Sequence, residues 1–593
     1  MSELFEATSE NDARLALRAQ GLLAHANQAG LVTAPDVHVA DRLGVLTGED
    51  RPEVLLAVAL LSRAARAGST CLDVRSVAEL TPEVAWPEGA GWPDPQAWSQ
   101  ACQSGPLIEA GVLRHEFGLL YLDRYWQEER QVCADLQLRL SQPPPQVDED
   151  RLASALERLF PGQSFAEQRQ ASQRAARSWT TVLTGGPGSG KTTTVARLLA
   201  LLADQADGAP LRIALSAPTG KAAARLQEAV LNAAGHLTGP DAARLEQLQA
   251  STLHRLLGWR PGHRTRFAHD RSNPLPHDIV VVDETSMLSL TMTARLLEAL
   301  RPQARLILVG DADQLASVDA GAVLADLVAG LSGRADSPVV TLRGSHRFDA
   351  GIRTLADAIR DGDADALLAA LRSSGPEREL IEDEDPLPRL RARLVRHACA
   401  IRDAARDGRG EEALELVGRH RLLCAHRRGP FGVQAWNRHI ERWVTEETGD
   451  RLFEPMYLGR PLLVTANDYG LELFNGDTGV VVRGEDGSPV AWMSGASGSA
   501  RLGASRLGDV ETMHAMTVHK AQGSEAQDVT VLLPTDDSAL LTRELLYTAI
   551  TRAQRRVCVV GSEAVLRESL TRRARRATGL AERLATGDDS AAQ

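Results

Sequence analysis

Lysine is nearly absent from this chain. Among its 66 lysines and arginines only Lys191, Lys221 and Lys520 are lysines. Arginine supplies the generic positive charge. Each remaining lysine is therefore a candidate for a task that needs a compact point charge rather than a planar fork. Cysteine is also scarce: Cys71, Cys102, Cys133, Cys399, Cys424 and Cys558 lie far apart and form no C-x-x-C pair. That excludes a disulfide framework or a zinc knuckle and fits a reducing cytoplasm. No run approaches ~18 uninterrupted apolar residues, which argues against a membrane span. The acidic, polar first residues lack the basic-then-apolar order of a signal peptide. No segment repeats at a fixed period. The common metal nuclease site needs an acidic residue two positions before a lysine, and Ser189, Thr219 and Val518 hold those positions here. The chain therefore cannot carry that site. An all-carboxylate two-metal site is not excluded in this way, but the acidic run 377–385 reads as a solvated linker.

What is present is globular. The 593 residues, 43% hydrophobic and 24% charged, suggest about four domains at roughly 150 residues each. A net charge of −12 argues only weakly against a nucleic-acid partner, because affinity follows local phosphate contacts. Residues 1–145 read as mostly helical with a few short strands. Leu55–Arg66 has a buried-helix pattern and Leu119–Arg130 is an aromatic-rich stretch suited to packing on the rest of the chain. A Pro-rich acidic linker follows at Ser141–Asp150. Beyond it, continuous apolar runs alternate with helices: Thr181–Thr184, Arg212–Ser216, Ile279–Val282, Leu306–Val309, Val339–Leu342, Leu422–Ala425, Val529–Leu533 and Val557–Val560. Such runs imply parallel sheets covered on both faces. Their extent implies two α/β cores, 146–340 and 341–447 with 509–575. A Gly-rich segment, 448–508, has short alternating strands (Pro461–Thr465, Gly479–Arg483, Val490–Met493) and predicts a small β-barrel inserted in the second core. A basic, turn-rich stretch at 259–277 predicts a projecting hairpin on the first. Residues 576–593 read as a C-terminal tail.

Gly185, Gly186, Pro187, Gly188, Ser189, Gly190, Lys191 and Thr192 match G-x-x-x-x-G-K-[ST] between a predicted strand and a predicted helix, Thr193–Ala203, the context this phosphate-binding loop requires. Glycines let backbone N–H groups cradle phosphates at the helix N-terminus. Lys191 reaches the β- and γ-phosphates, and the Thr192 hydroxyl ligates Mg²⁺. Asp283, at the end of an apolar strand, is placed to hold Mg²⁺, and Glu284 to orient and deprotonate water. Gln314, after the next strand, is a neutral group able to sense the γ-phosphate. Gln168, 17 residues before Gly185, can read an adenine edge. Arg347 and Arg552 lie in the second core. If the cores face each other across the nucleotide, both can offset transition-state charge as fingers acting in cis.

These segments, in this order, resemble superfamily 1 helicases. Ala217–Leu226 is similar to their motif Ia, Ser251–Gly258 to motif Ib, Thr517–Glu525 to motif V, and Arg552 falls in motif VI. More narrowly, Leu423–Val433, Asn437 and Phe474–Asp477 resemble the RecD family, the alpha subunits of exodeoxyribonuclease V. The resemblance is dense from Gln168 to Gly561. Within the first 140 residues it is thinner and strongest at Leu119–Arg130. It implies two RecA-like P-loop NTPase cores, an SH3-like insertion and a hairpin pin. It also implies ATP and Mg²⁺ between the cores and 5′→3′ translocation on DNA. Single- and double-stranded DNA ends would be the substrate, the nuclease would sit on another chain, and RecB-like and RecC-like subunits would be partners, met by the N-terminal domain. By the same resemblance Pro218, Thr219, Lys221, Thr252, His254, Asn467, Thr517, His519 and Lys520 line the DNA track, and Gly523 and Glu525 join the nucleotide site. Lys221 and Lys520 would sit one on each core against a moving phosphate. Two other readings remain: a free-standing RecD-like helicase, disfavoured by the chain length and by the lack of a paired helix-hairpin-helix signal before Gln168, and a regulatory subunit that binds ATP without essential turnover.

Overall fold

The computed structural model of the chain describes residues 4–586 apart from 82–83, 88–89, 207–210, 236–244, 246, 261–265, 345–349, 374, 451, 453, 469, 496–497, 536–537, 539 and 575. No described helix is long and apolar enough to cross a membrane.

The N-terminal region is built on the helix Pro52–Arg66, which buries Val54, Leu56, Val58, Leu60 and Leu61 against its neighbours Gly21–Gln28 and Ala34–Thr47. Proline at the first helical position costs no hydrogen bond there and starts the helix. A small antiparallel sheet follows, made of β1 (Cys71–Leu72), β2 (Leu113–Glu116) and β3 (Leu119–Leu122) in the order β1-β3-β2. Phe117 and Gly118, with φ of 55° and 75°, turn β2 into β3 in the left-handed conformation that two-residue hairpins favour. The aromatic-rich stretch Leu119–Arg130 is thus a strand that runs into the helix Asp123–Leu140. That helix packs on the first core through Val132, Cys133 and Leu136. The expected boundary near residue 145 therefore falls after an element that the first core has already claimed.

The first core is a six-stranded parallel sheet: β4 (Thr180–Gly185), β5 (Ile213–Ala217), β6 (Ala250–Thr252), β7 (Ile279–Val282), β8 (Arg305–Gly310) and β9 (Val339–Leu342), in the order β6-β5-β7-β8-β4-β9. The inner strands β4 and β7 are buried at every position, as continuous apolar runs in a doubly covered sheet must be. In the stretch 259–277, Trp259 bridges Phe267 and Asp270 bridges Asn273, both antiparallel; 261–265 lie outside the described residues.

The second core is a five-stranded parallel sheet of β10 (Arg378–Ile381), β11 (His420–Cys424), β17 (Ala515–Thr517), β18 (Ala526–Leu532) and β19 (Ala553–Val560), ordered β10-β19-β18-β11-β17. Between β11 and β17 the chain forms an antiparallel five-stranded sheet: β12 (Pro461–Val464), β13 (Thr478–Arg483), β14 (Pro489–Gly495), β15 (Gly498–Gly503) and β16 (Val510–Thr512), with β15 and β16 at its edges.

Two expectations fail here. The acidic run 377–385 is not all linker, because Arg378–Ile381 is the edge strand β10. Glu379 accepts from Arg393 and Arg556, the latter 2.7 Å away. Paired charges at an edge position are compatible with a strand; charge alone read as solvated chain. Nor do the described residues 576–586 form a tail; 587–593 lie outside the described residues. Thr70 N–H donates to Ala577 O at 2.9 Å. The helix Leu580–Thr586 then buries Leu580 and Leu584 in the first core. The chain leaves the second core and straps back over the first.

That strap closes over two carboxylates, Glu129 and Asp326. Thr70 Oγ1 donates to Glu129 and Thr578 Oγ1 to Asp326, while Glu129 Oε2 and Asp326 Oδ2 are buried without a partner. Burial raises both, Asp326 to about 7. A carboxyl with a raised native pKa holds its proton when folded, so its contribution to stability falls as pH rises from near 4 through 7. Asp326→Asn keeps an acceptor for Thr578 and removes the desolvated charge. The variant is expected to melt higher than the parent at pH 8, by on the order of 2 kcal/mol, and equally at pH 4. Thermal melts at the two pH values check this.

Candidate functional site

The candidate phosphate loop, Asp283 and Gln314 follow the C-terminal ends of the parallel strands β4, β7 and β8, where chain crossovers leave a crevice, while Glu525 and Arg552 stand just before β18 and β19. β4 ends in Gly185 and opens the loop that leads to the helix Lys191–Gln205. Gly188 and Gly190 have φ of 75° and 81°, a region closed to most side chains. A Cβ on Gly185 would meet Leu342 O at 2.6 Å and Ser189 Oγ at 2.8 Å. The loop thus has the closeness that a phosphate cradle needs. Lys191 Nζ donates to the carbonyls of Gly185 (2.6 Å) and Gly186 (3.0 Å), so the ammonium is folded over the loop mouth. Thr192 is half-buried in the first turn of the helix. Ser189 Oγ and Gln168 Oε1 are buried without a partner, and the Gln168 amide lies against Gly190. Buried polar atoms with unmet hydrogen bonds beside an anion-binding loop are what a bound nucleotide would satisfy.

β7 delivers Asp283 and Glu284. Burial, with the adjacent Glu284 charge second, pushes Asp283 up to about 6. Lys191 and Arg225 act in the other direction. A hard cation would restore the ionised form. Glu284 has φ of 51°, a left-handed conformation that a non-glycine residue holds only when its surroundings enforce it. β8 delivers Gln314, which donates to Asp311 Oδ2 at 3.0 Å.

The second core closes the seam. Tyr547 Oη donates to Asp311 Oδ2 at 3.2 Å and lies 3.1 Å from where a Gly186 Cβ would stand. Leu315, next to Gln314, donates its N–H to Thr548 Oγ1 (2.9 Å) and accepts at its carbonyl from Gln522 Nε2 (2.8 Å). A cleft of about 350 Å³ at the loop is lined by Gly185, Gly186, Asp311 and Asp313 of the first core and by Arg360 of the second. Burial, then the neighbouring Asp311, pushes Asp313 up to about 6, against Arg360. Arg552 is 3% exposed, and its Nε donates to Thr548 O. Arg347 lies outside the described residues. Gly523 approaches Ala222 and Thr219 across the seam. Glu525 accepts from Gln554 and lies 3.8 Å from Arg225. Since Arg225 also acts on Asp283, Glu525 joins the charge network of the site.

Of the residues expected to line a DNA track, Pro218, Thr219 and Lys221 follow the C-terminal end of β5, Thr252 and His254 that of β6, and Thr517, His519 and Lys520 that of β17, while Asn467 follows β12 in the insertion. Thr219 and Thr252 cap the helices that follow β5 and β6, accepting from the N–H groups of Ala222 and Arg255. Thr517 Oγ1 accepts from Lys520 N. Each hydroxyl spends a lone pair this way and keeps its O–H to donate. Pro218 precedes the first cap and is half-buried. His254 stacks edge-on to Phe267 at 5.9 Å. Burial lowers both His254 and His519, in the latter helped by Arg576. Asn467 Oδ1 accepts from Asn475 N in the insertion. Lys221 departs from the expectation of an open cation. Burial, with Arg421 and Arg225 next, pulls it down to about 7, and Asp477 only partly offsets this. The insertion comes close here, with Phe474 3.1 Å from where a Gly220 Cβ would stand.

Sequence reasoning passed over Arg360, Arg225, Tyr547 and Gln522. Arg225, Tyr547 and Gln522 stand inside the segments already quoted for their resemblance, so a signal existed. Arg360 is one arginine among 63 and carries none.

Comparison with known proteins gives the same outline. Residues 168–320 match the AAA domain model, 512–560 the UvrD-like helicase C-terminal domain, and 28–116 the RecBCD enzyme subunit RecD, N-terminal domain. The N-terminal family model thus matches ahead of Leu119–Arg130. The chain is 57% identical to RecBCD enzyme subunit RecD of Mycobacterium tuberculosis H37Rv over 97% of this chain and 98% of that protein. It is 30% identical to the Haemophilus influenzae protein of the same name over 86% and 87%. It is 32% identical to the ATP-dependent RecD2 DNA helicase of Deinococcus radiodurans over 81% of this chain but 60% of that one. With a near full-length match at that identity, the chain belongs to the family of the RecBCD enzyme subunit RecD.

Proposed function

We propose that this chain is an ATP-driven 5′→3′ DNA helicase, the RecD-like motor of a RecBCD-type helicase–nuclease that processes double-strand ends for recombinational repair. The observation that carries this reading is the seam, where Asp311, Leu315 and the loop of Gly185–Thr192 on one core meet Tyr547, Thr548, Gln522 and Arg360 of the other. A nucleotide held there touches both cores at once, so its turnover can move one against the other. Lys191, the loop N–H groups and the helix N-terminus hold the phosphates of ATP, and Gln168 meets its base. Thr192 and Asp283 would hold Mg²⁺, which supplies charge neutralisation at the β- and γ-oxygens. Glu284 takes the proton of the attacking water, Gln314 reads the γ-phosphate, and Arg552, joined by Arg347 on the strength of its motif alone, offsets the charge that develops there.

The strand runs over Pro218, Thr219, Lys221, Thr252, His254, Asn467, Thr517, His519 and Lys520. Small hydroxyls, imidazoles and two lysines suit backbone contact without base readout. RecB-like and RecC-like chains are the partners and carry the nuclease. The antiparallel insertion acts as an SH3-like module and 259–277 as a pin. The identity of 57% over nearly the whole length of a RecBCD subunit favours this over a free-standing motor.

Unwinding of a duplex with a 5′ tail, and none with only a 3′ tail, is the expected outcome of a strand-displacement assay; the reverse would overturn the polarity. Co-expression with RecB-like and RecC-like chains should shift this chain into a heterotrimer on gel filtration. The lysines give a finer test. Lys520→Arg and Lys221→Arg are each expected to reduce strand-stimulated ATP hydrolysis several-fold, because a wide guanidinium does not fit where a compact ammonium sits. Unchanged rates in both would remove the lysines from the track.

A further inference from the structure

We propose that Glu511 fills a phosphate seat built by Arg427 and Lys520, and that a backbone phosphate of the bound strand displaces its carboxylate. This rests on the placing of Lys520 in the track. Three separate pieces of chain meet here. Arg427 stands in the loop after β11, Lys520 in the turn after β17, and Glu511 on β16 of the insertion. The carboxylate bridges the two cations with one oxygen each. Oε1 accepts from Arg427 Nη2 at 2.6 Å, and Oε2 accepts from Lys520 Nζ at 2.9 Å. A phosphodiester presents the same pattern, two anionic oxygens sharing one charge, to the same two donors.

The bridge is poorly suited to being a staple. The side chains of Arg427, Glu511 and Lys520 are 60%, 42% and 29% exposed, and pairs this open contribute little to folding. β16 is held without it. It pairs with β12 from Leu462 to Val464. Asn437 Nδ2 donates to Thr512 O at 3.0 Å, and Arg460 Nε donates to Thr512 Oγ1 at 2.9 Å. What the carboxylate does supply is an anion between two cations that would otherwise repel each other. Burial acts to raise Glu511, but the hydrogen bonds and charges of Lys520 and Arg427 outweigh it and hold it below the ordinary glutamate range, so it is ionised at neutral pH. Thr517, whose hydroxyl accepts from Lys520 N, adds an O–H donor beside the seat. An internal competitor weakens the grip on any one phosphate, which suits a motor that must release each phosphate in turn.

The test is binding of a labelled oligo-dT to the full chain by fluorescence anisotropy, over a range of salt concentrations and without nucleotide. Glu511→Gln keeps the shape and removes the charge. It is expected to bind about 5-fold tighter at fixed salt, with a log K against log salt slope steeper by about 0.7, one more phosphate neutralised. Arg427→Gln is expected to weaken binding and make the slope shallower by a similar amount. Unchanged affinity and slope in Glu511→Gln, with the parent binding normally, overturns the seat. So does a lowered melting temperature without tighter binding, which would make Glu511 a staple after all. A parent chain that does not bind oligo-dT at all overturns the function proposed above, and the seat with it.

Discussion

Arg552→Gln should lower kcat for strand-stimulated ATP hydrolysis by about 10³-fold or more, the usual scale for losing an arginine finger. Arg552 sits at the end of the helix Arg543–Ile550, whose Tyr547 and Thr548 already reach Asp311 and Leu315 of the first core. Its Nε donates to Thr548 O at 3.2 Å and its Nη1 to Ser524 O at 3.5 Å. A guanidinium has five N–H donors, so two bonds can hold its plane while others serve a phosphate oxygen. Glutamine keeps part of the packing and loses the charge. Because the charge is needed most as the γ-phosphoryl leaves, the loss should fall on kcat, with KM for ATP changed little. Arg552→Lys should restore little of it, since an ammonium lacks the fork. Steady-state ATPase kinetics on variants with parental melting temperatures check this. A kcat within a few-fold of the parent would take Arg552 out of the chemistry and leave it as a core brace.

The second large effect concerns the strap. The Arg583 side chain is 1% exposed and forms a two-pronged pair with Glu116, Nη1 to Oε1 at 2.9 Å and Nη2 to Oε2 at 2.7 Å. Its guanidinium lies 5.1 Å from the Phe117 ring centre. Cutting one partner of a buried pair leaves the other charged and desolvated, which costs about 3–5 kcal/mol. Arg583→Ala should lose that much locally. Hydrogen exchange should then quicken in the helix Leu580–Thr586 and in β2 and β3 while the second core stays protected. Glu116→Gln combined with Arg583→Met should recover much of the loss, because a neutral pair no longer strands a charge. Equal protection in the parent and in Arg583→Ala would show that Leu580 and Leu584 hold the strap without it.

Much of this molecule was legible in its residue order. The apolar runs that became β4, β7 and β8 are strands because a sheet covered on both faces tolerates nothing else. A loop of glycines ending in Lys191 and Thr192 is legible as a candidate phosphate cradle, and the fold gives Gly188 and Gly190 the left-handed backbone such a turn requires. The three lysines stand out because arginine supplies the rest of the positive charge. These are local or periodic constraints, and a linear chain records them.

Tertiary structure alone decided whatever depends on which distant surfaces meet. Lys221 is an ordinary helix-start lysine on paper, and it is pulled down to about 7 by burial with Arg421 and Arg225 beside it, an effect that Asp477, some 250 residues later, only partly offsets. Arg360 faces Asp313 across a cleft that neither segment announces. The final residues read as a tail because seven helical residues carry too little pattern to declare a partner. Burial against the first core makes them a strap. Desolvation and cross-chain charge are set by three-dimensional neighbours, and a sequence orders neighbours in only one dimension.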